Sequence, residues 1–143
     1  MGFRVEKIEE ISGNKFILVI GDDSSSIFDY LGVKAWAGLS VADARKYKES
    51  KGDAYLAGWT NELPKGHPDY KYSPFFVFLN EDRLEKKYIS QVHESAHLAR
   101  AIMDYKNITD FNEEKYVQLM ENCYRSIIAY FDAQNEKKFN LTL

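Results

Sequence analysis

The order of this chain predicts an α+β fold, with an N-terminal β-hairpin and small sheet packed on a C-terminal pair of long helices. Three observations predict it. Apolar runs of strand length stand in the first half of the chain and again at Pro74–Leu79. Leu84, Tyr88, Val92, Ala96, Ala99 and Met103 recur at spacings of three and four, the period of an amphipathic helix. Val117, Met120, Tyr124, Ile127 and Phe131 repeat that period further on. Strands gathered ahead of a helix pair, rather than alternating with helices, read as α+β.

Each element has a local reason. Val5 to Ile11 and Lys15 to Ile20 flank Ser12-Gly13-Asn14, whose turn chemistry closes a β-hairpin. Gly21 to Ser26 is polar and expected as a loop. Ser40 can cap a short helix reaching Lys48, with Val41, Ala44, Arg45 and Tyr47 at helical spacing, and Gly52 closes that region. Asp53 to Ser73, broken by Gly58, Pro64, Gly66 and Pro68, is expected to be mostly loop. Phe75-Phe76-Val77-Phe78-Leu79 is a strong strand. It leads through Asn80-Glu81-Asp82 into the first long helix, with acidic residues where the helix dipole favours them. Lys106-Asn107 ends that helix. Thr109 or Asp110 caps the second, with Glu113 as the capping-box partner of Asp110. The tail after Asp132 is polar and expected to fray. No repeat or linker divides the sequence, so residues 1–143 are expected to form a single domain.

Composition excludes several classes. Hydrophobic residues at 45% and charged residues at 29% are an ordinary globular balance, with ten Tyr and nine Phe supplying bulk for a small core. A formal net charge of -3 gives no nucleic-acid surface. Cys123 is alone, so no intrachain disulfide can form and a reducing compartment fits best. The N-terminal residues lack the apolar core of a signal peptide, and no apolar run is long enough for a bilayer. The expectation is a cytoplasmic protein with no membrane partner.

The chemistry is concentrated in His93-Glu94-Ser95-Ala96-His97, a complete H-E-x-x-H. On a helix, residues four apart share a face, so both imidazoles can reach one metal ion. Glu94 projects beside that metal, where it can take a proton from the attacking water. This is the signature of a zinc metallohydrolase, usually a peptidase. The chain has three histidines and the motif uses two of them. Catalytic zinc normally has three protein ligands and one open position, so a third ligand is needed. The candidates on the following helix are Glu113, Glu114 and Glu121. Glu114 and Glu121 are seven residues apart and share an edge, whereas Glu113 also fits a capping box.

The segment from Phe75 to Ile128 resembles the small H-E-x-x-H proteins of phage and prophage genomes, which are gluzincin-like metallopeptidases. The likeness rests on three features: the apolar strand Phe75–Leu79, the motif with its apolar continuation Leu98-Ala99, and the run Asn112-Glu113-Glu114-Lys115-Tyr116-Val117-Gln118-Leu119. The resemblance implies Zn²⁺ as cofactor, a zincin-type site and Glu114 as the glutamate ligand, with Glu121 in reserve. Tyr116 and Leu119 match the family's aromatic and leucine, while Val117 and Gln118 depart from its small residue and tyrosine.

The expected activity is therefore zinc-dependent hydrolysis of a peptide or protein substrate. His93, His97 and Glu114 would bind the metal, and Glu94 would act as general base. Tyr116, Tyr124 and His67 are candidate donors to the transition state. The Phe75–Leu79 strand is expected in the core, its rival role being an edge for an extended substrate. The alternative class is a non-catalytic binding or assembly module stabilised by metal. A further reading is a metal-free interaction protein in which the pentapeptide is coincidence.

Overall fold

A computed structural model of the protein describes residues 3–22, 24–32, 35–36, 39–40, 58–81, 87–106 and 112–142. Strands β1 (Phe3–Glu9) and β2 (Lys15–Gly21) form the expected antiparallel hairpin. Gly13 closes it at a φ of 100°, a left-handed conformation that favours glycine. Helix α1 (Ser24–Leu31), strand pair β3 (Ala35–Trp36) and β4 (Leu39–Ser40), and β5 (Gly58–Glu62) follow. A 3-10 turn (Pro68–Lys71) leads to β6 (Phe75–Asn80), and the long helices α2 (Lys87–Tyr105) and α3 (Glu113–Thr142) complete the chain.

The main sheet has strand order β1-β2-β6-β5 and is mixed: β1–β2 and β5–β6 pair antiparallel, β2–β6 parallel. Its two central strands are apolar on both faces, because each face is covered. Ile17, Val19, Phe76 and Phe78 point to one side with Ile27, Phe28 and Leu31 of α1. Phe16, Leu18, Ile20, Phe75, Val77 and Leu79 point to the other side with Leu98 and Ile102 of α2 and Cys123 and Ile127 of α3. The α+β fold is thus a small mixed sheet between one short helix and the long helix pair. Burying each such side chain contributes roughly 1.5–3 kcal/mol.

Several local expectations change. The serines expected in a loop open α1, because Ile27, Phe28 and Leu31 bury together against the sheet and outweigh the weak helix propensity of serine. The stretch expected as loop holds β5 and the 3-10 turn. Strand β6 is interior, paired on both sides, so it offers no free edge, and among the described residues β5 stands at the sheet edge instead. Ser40 belongs to a strand; the rest of the helix expected from it, with Gly52, lies outside the described residues. Asp82, expected near the start of α2, lies outside the described residues, and the first described turn of that helix holds no acidic residue. The expected caps Thr109 and Asp110 also lie outside the described residues, and α3 instead begins after Asn112, whose Oδ1 accepts from Lys115 N at 3.2 Å. No helix among the described residues is long and apolar enough to cross a membrane.

The hairpin is tied by a buried carboxylate. Glu10 is 2% exposed. It accepts from Ser12 N at 2.9 Å, Asn14 N at 2.7 Å, Asn14 Nδ2 at 2.9 Å and the Ser12 hydroxyl. Burial alone would raise its pKa, but the Ser12 and Asn14 donors outweigh burial and hold it below the ordinary 4.5. A depressed folded-state pKa stabilises the fold above the unfolded value and loses that contribution as pH falls through the folded one. Glu10→Gln is therefore expected to lower stability at pH 7 by about 1–3 kcal/mol. The gap should narrow between pH 7 and an acid pH below the folded-state value, where the wild-type carboxyl is itself protonated. Urea midpoints at both pH values measure it, and an equal gap at both would reject the assignment.

Candidate metal centre

Helix α2 has no Gly or Pro between its ends, so nothing interrupts its hydrogen bonding. Its buried face is Gln91, Glu94, Ser95, Leu98, Ala99, Ile102 and Met103. This differs from the predicted stripe: Val92 is 43% exposed, and Leu84 lies outside the described residues. The helix is turned so that Glu94 faces inward while His93 and His97 face out.

The two imidazoles converge. His93 Nε2 and His97 Nε2 lie 3.0 Å apart, with ring centroids separated by 4.7 Å. Two nitrogens bound to one tetrahedral zinc at about 2.0–2.1 Å stand about 3.3 Å from each other. The pair stands at hydrogen-bond distance, one ring nitrogen donating to the other, and within about 0.3 Å of the separation a shared zinc would impose; neutral imidazole nitrogen is a donor type zinc accepts. His93 is 64% exposed at its side chain, so the pair opens to solvent.

Glu94 is held differently. Its side chain is 5% exposed, with Oε2 3.9 Å from His93 Nε2. Thr60 Oγ1 on β5 donates to Oε1 at 2.8 Å and stands 3.3 Å from the Glu94 carbonyl. Burial pushes the Glu94 pKa above its ordinary value, and the Thr60 hydroxyl and both imidazoles offset only part of that rise. Gly58 gives the carboxylate room. A Cβ there would stand 2.9 Å from Glu94 Cγ, 3.1 Å from Oε2 and 2.9 Å from the Phe78 carbonyl oxygen.

Strand β5 is pinned from its opposite face. Trp59 packs edge-on against Phe28 of α1 at 5.7 Å and Phe76 at 5.2 Å. Because side chains alternate along a strand, fixing Trp59 on one face turns Gly58 and Thr60 to the other, where Glu94 lies.

His93, Ala96, His97 and Arg100 of α2 and Tyr116 of α3 line a groove of about 450 Å³. Tyr116 OH donates to the Ala96 carbonyl at 3.4 Å. Of the three expected hydrogen-bond donors, Tyr116 alone lines this groove. His67 has work elsewhere: Asp69 N donates to its Nδ1 at 3.0 Å, so Nε2 carries the proton given to the Tyr30 carbonyl at 2.8 Å. It caps the 3-10 turn and is half-buried.

The third ligand is not gathered here. Among the described residues no group of three His, Cys, Asp or Glu is arranged to hold a metal. Glu114 and Glu121 are both exposed. At 100° per residue they lie about 160° and 140° around α3 from Tyr116, which faces the groove. Glu113 is also exposed but stands about 60° from Tyr116.

Sequence reasoning missed Gly58, Thr60 and Arg100. The signal for the first two was Trp59-Thr60, two strand-forming residues inside a stretch read as loop. Arg100 was legible as the residue three beyond His97. Comparisons with protein-family models, with curated proteins and with solved structures find no match to this chain.

Proposed function

We propose that the protein is a zinc-dependent hydrolase acting on peptide bonds, with His93 and His97 as metal ligands and Glu94 as general base. The observation that carries this reading is the side-chain arrangement: two Nε2 atoms 3.0 Å apart, with a buried carboxylate 3.9 Å from one of them. Zinc, when bound, supplies Lewis acidity and an acidified water. Glu94 takes a proton and returns it to the leaving amine. Its burial raises its basicity toward that task, and the Thr60 hydroxyl fixes which way it faces. Tyr116 lines the same groove, and its hydroxyl is the proposed donor to a developing oxyanion. Strand β5, at the edge of the sheet among the described residues, is the proposed place for an extended peptide to pair.

The open flank favours catalysis over a purely structural metal, since structural zinc is closed by four protein ligands. The described residues bring no third donor to the pair, and α3 carries the candidates. Glu114, implied by the resemblance, and its reserve Glu121 lie far around α3 from the groove, Glu113 lies nearer to it, and Cys123 and Ile127 hold the helix in this orientation. Zinc affinity of the Gln variant at each position identifies the ligand.

The test is metal content after zinc supplementation. About one zinc per chain is expected, with His93→Ala plus His97→Ala reducing it to background. A zinc-free wild type, or a double variant that binds as much, overturns the reading.

A further inference from the structure

His93, His97 and Arg100 are spaced by four and three residues, which places all three within an arc of about 60° on α2. They line the same groove with Ala96 and Tyr116, and none of these five residues is acidic. Arg100 Nε lies 3.3 Å from Asp104 Oδ1, one turn further along the helix. Both side chains are more than half exposed, and ion pairs of that kind hold weakly in water. A guanidinium presents five N–H donors in a plane, so it can hold a further carboxylate beside the partners it already has. Arg100 is three residues beyond His97, about 4.5 Å along the helix axis. An extended peptide advances about 3.3–3.6 Å per residue. For a peptide laid along this groove toward Arg100, a carboxylate one to two residues beyond a carbonyl held at the histidine pair comes within reach of the guanidinium.

The geometry points to Arg100 as the residue that sets substrate class, by binding a peptide carboxylate one to two residues past the scissile bond. The inference rests on the metallopeptidase reading above. The carboxylate has two chemical sources, the C-terminus of a short peptide or an acidic side chain within a longer one. A cationic guanidinium beside a dication site also draws anionic peptides into the groove.

The experiment compares matched N-blocked peptides on the zinc-supplemented protein: one ending in a free carboxylate, one in a C-terminal amide, and a longer amidated one with Glu or Gln at the corresponding place. Wild type is expected to favour the free acid over the amide, or Glu over Gln, by roughly 10- to 100-fold, mainly in KM. The first preference identifies the C-terminal source, the second the side chain. Arg100→Gln should bring each ratio close to one, and because the ratio is taken within one protein, a general loss of activity does not disturb it. If wild type cleaves acid and amide, Glu and Gln, equally well, the carboxylate site is wrong and the hydrolase reading stands. If the zinc-loaded protein cleaves no peptide, the hydrolase reading falls. Calorimetric binding of the free-acid peptide to Glu94→Gln protein, with and without Arg100→Gln, then decides the site. Equal affinities overturn it, and a tenfold or larger loss supports it.

Discussion

On the proposed hydrolase reading, Glu94→Gln is expected to abolish peptide hydrolysis while leaving zinc binding, the fold and the imidazole pair in place. The substitution is isosteric, so the amide oxygen can still accept from Thr60 Oγ1, which lies 2.8 Å from Oε1. Both histidines keep their positions because neither depends on the Glu94 carboxylate for its place on the exposed flank of α2. The amide cannot accept a proton, so the general-base contribution disappears, a loss of roughly 10²–10⁴-fold or more. Initial rates with saturating peptide, alongside zinc content and thermal midpoint, separate this from a metal or folding defect. A purely structural metal predicts no activity to lose. Undiminished hydrolysis by zinc-loaded Glu94→Gln protein would remove Glu94 from the mechanism.

Gly58→Ala should produce the next largest effect, from outside the motif. The added methyl would meet the Phe78 carbonyl oxygen and Glu94 Cγ, both at 2.9 Å, closer than real Cβ contacts come. The Phe78 carbonyl belongs to a central strand and cannot withdraw, so β5 and Glu94 must shift. Overpacking of this kind costs about 1–3 kcal/mol. Moving a catalytic carboxylate by about 1 Å can cost on the order of 10²-fold in rate. The expected result is a lower kcat with zinc content unchanged, since the histidines lie elsewhere. A double-mutant cycle makes the test specific. In a Glu94→Ala background the Cγ contact is gone, so Gly58→Ala should cost less stability than in wild type. Additive stability losses would show that Gly58 and Glu94 do not couple.

Much of the fold was legible because much of it is local. The hairpin follows from Ser12-Gly13-Asn14 between apolar runs, and Gly13 adopts the left-handed backbone such a turn needs. The β6 strand follows from five consecutive apolar residues, and the two long helices from residues recurring at three and four. The His93–His97 convergence is likewise local, since a helix alone places i and i+4 together. Where competing signals were close, local reading failed. Ser24 to Ser26 look like loop until Ile27, Phe28 and Leu31 are seen to bury against β2 and β6. Glu10 looks like one more polar residue of an irregular strand until the turn folds four donors onto it.

The sequence by itself determined the α+β class, the helix that carries the motif and the pairing of its two imidazoles, because each depends on contacts within a few residues. Tertiary structure alone decided which way that helix faces and what holds Glu94. Val92 belonged to the apolar pattern yet stands exposed, because the sheet accepts the face carrying Leu98 and Ile102. The seat of Glu94 is built by Gly58 and Thr60, more than thirty residues away in the chain. Those residues are aimed by Trp59, which Phe28 and Phe76 lock from the opposite face. No periodicity within either segment encodes that alignment. It arises when burial of Trp59 fixes the phase of β5, and the two-residue alternation of a strand then leaves its neighbours only one direction to point.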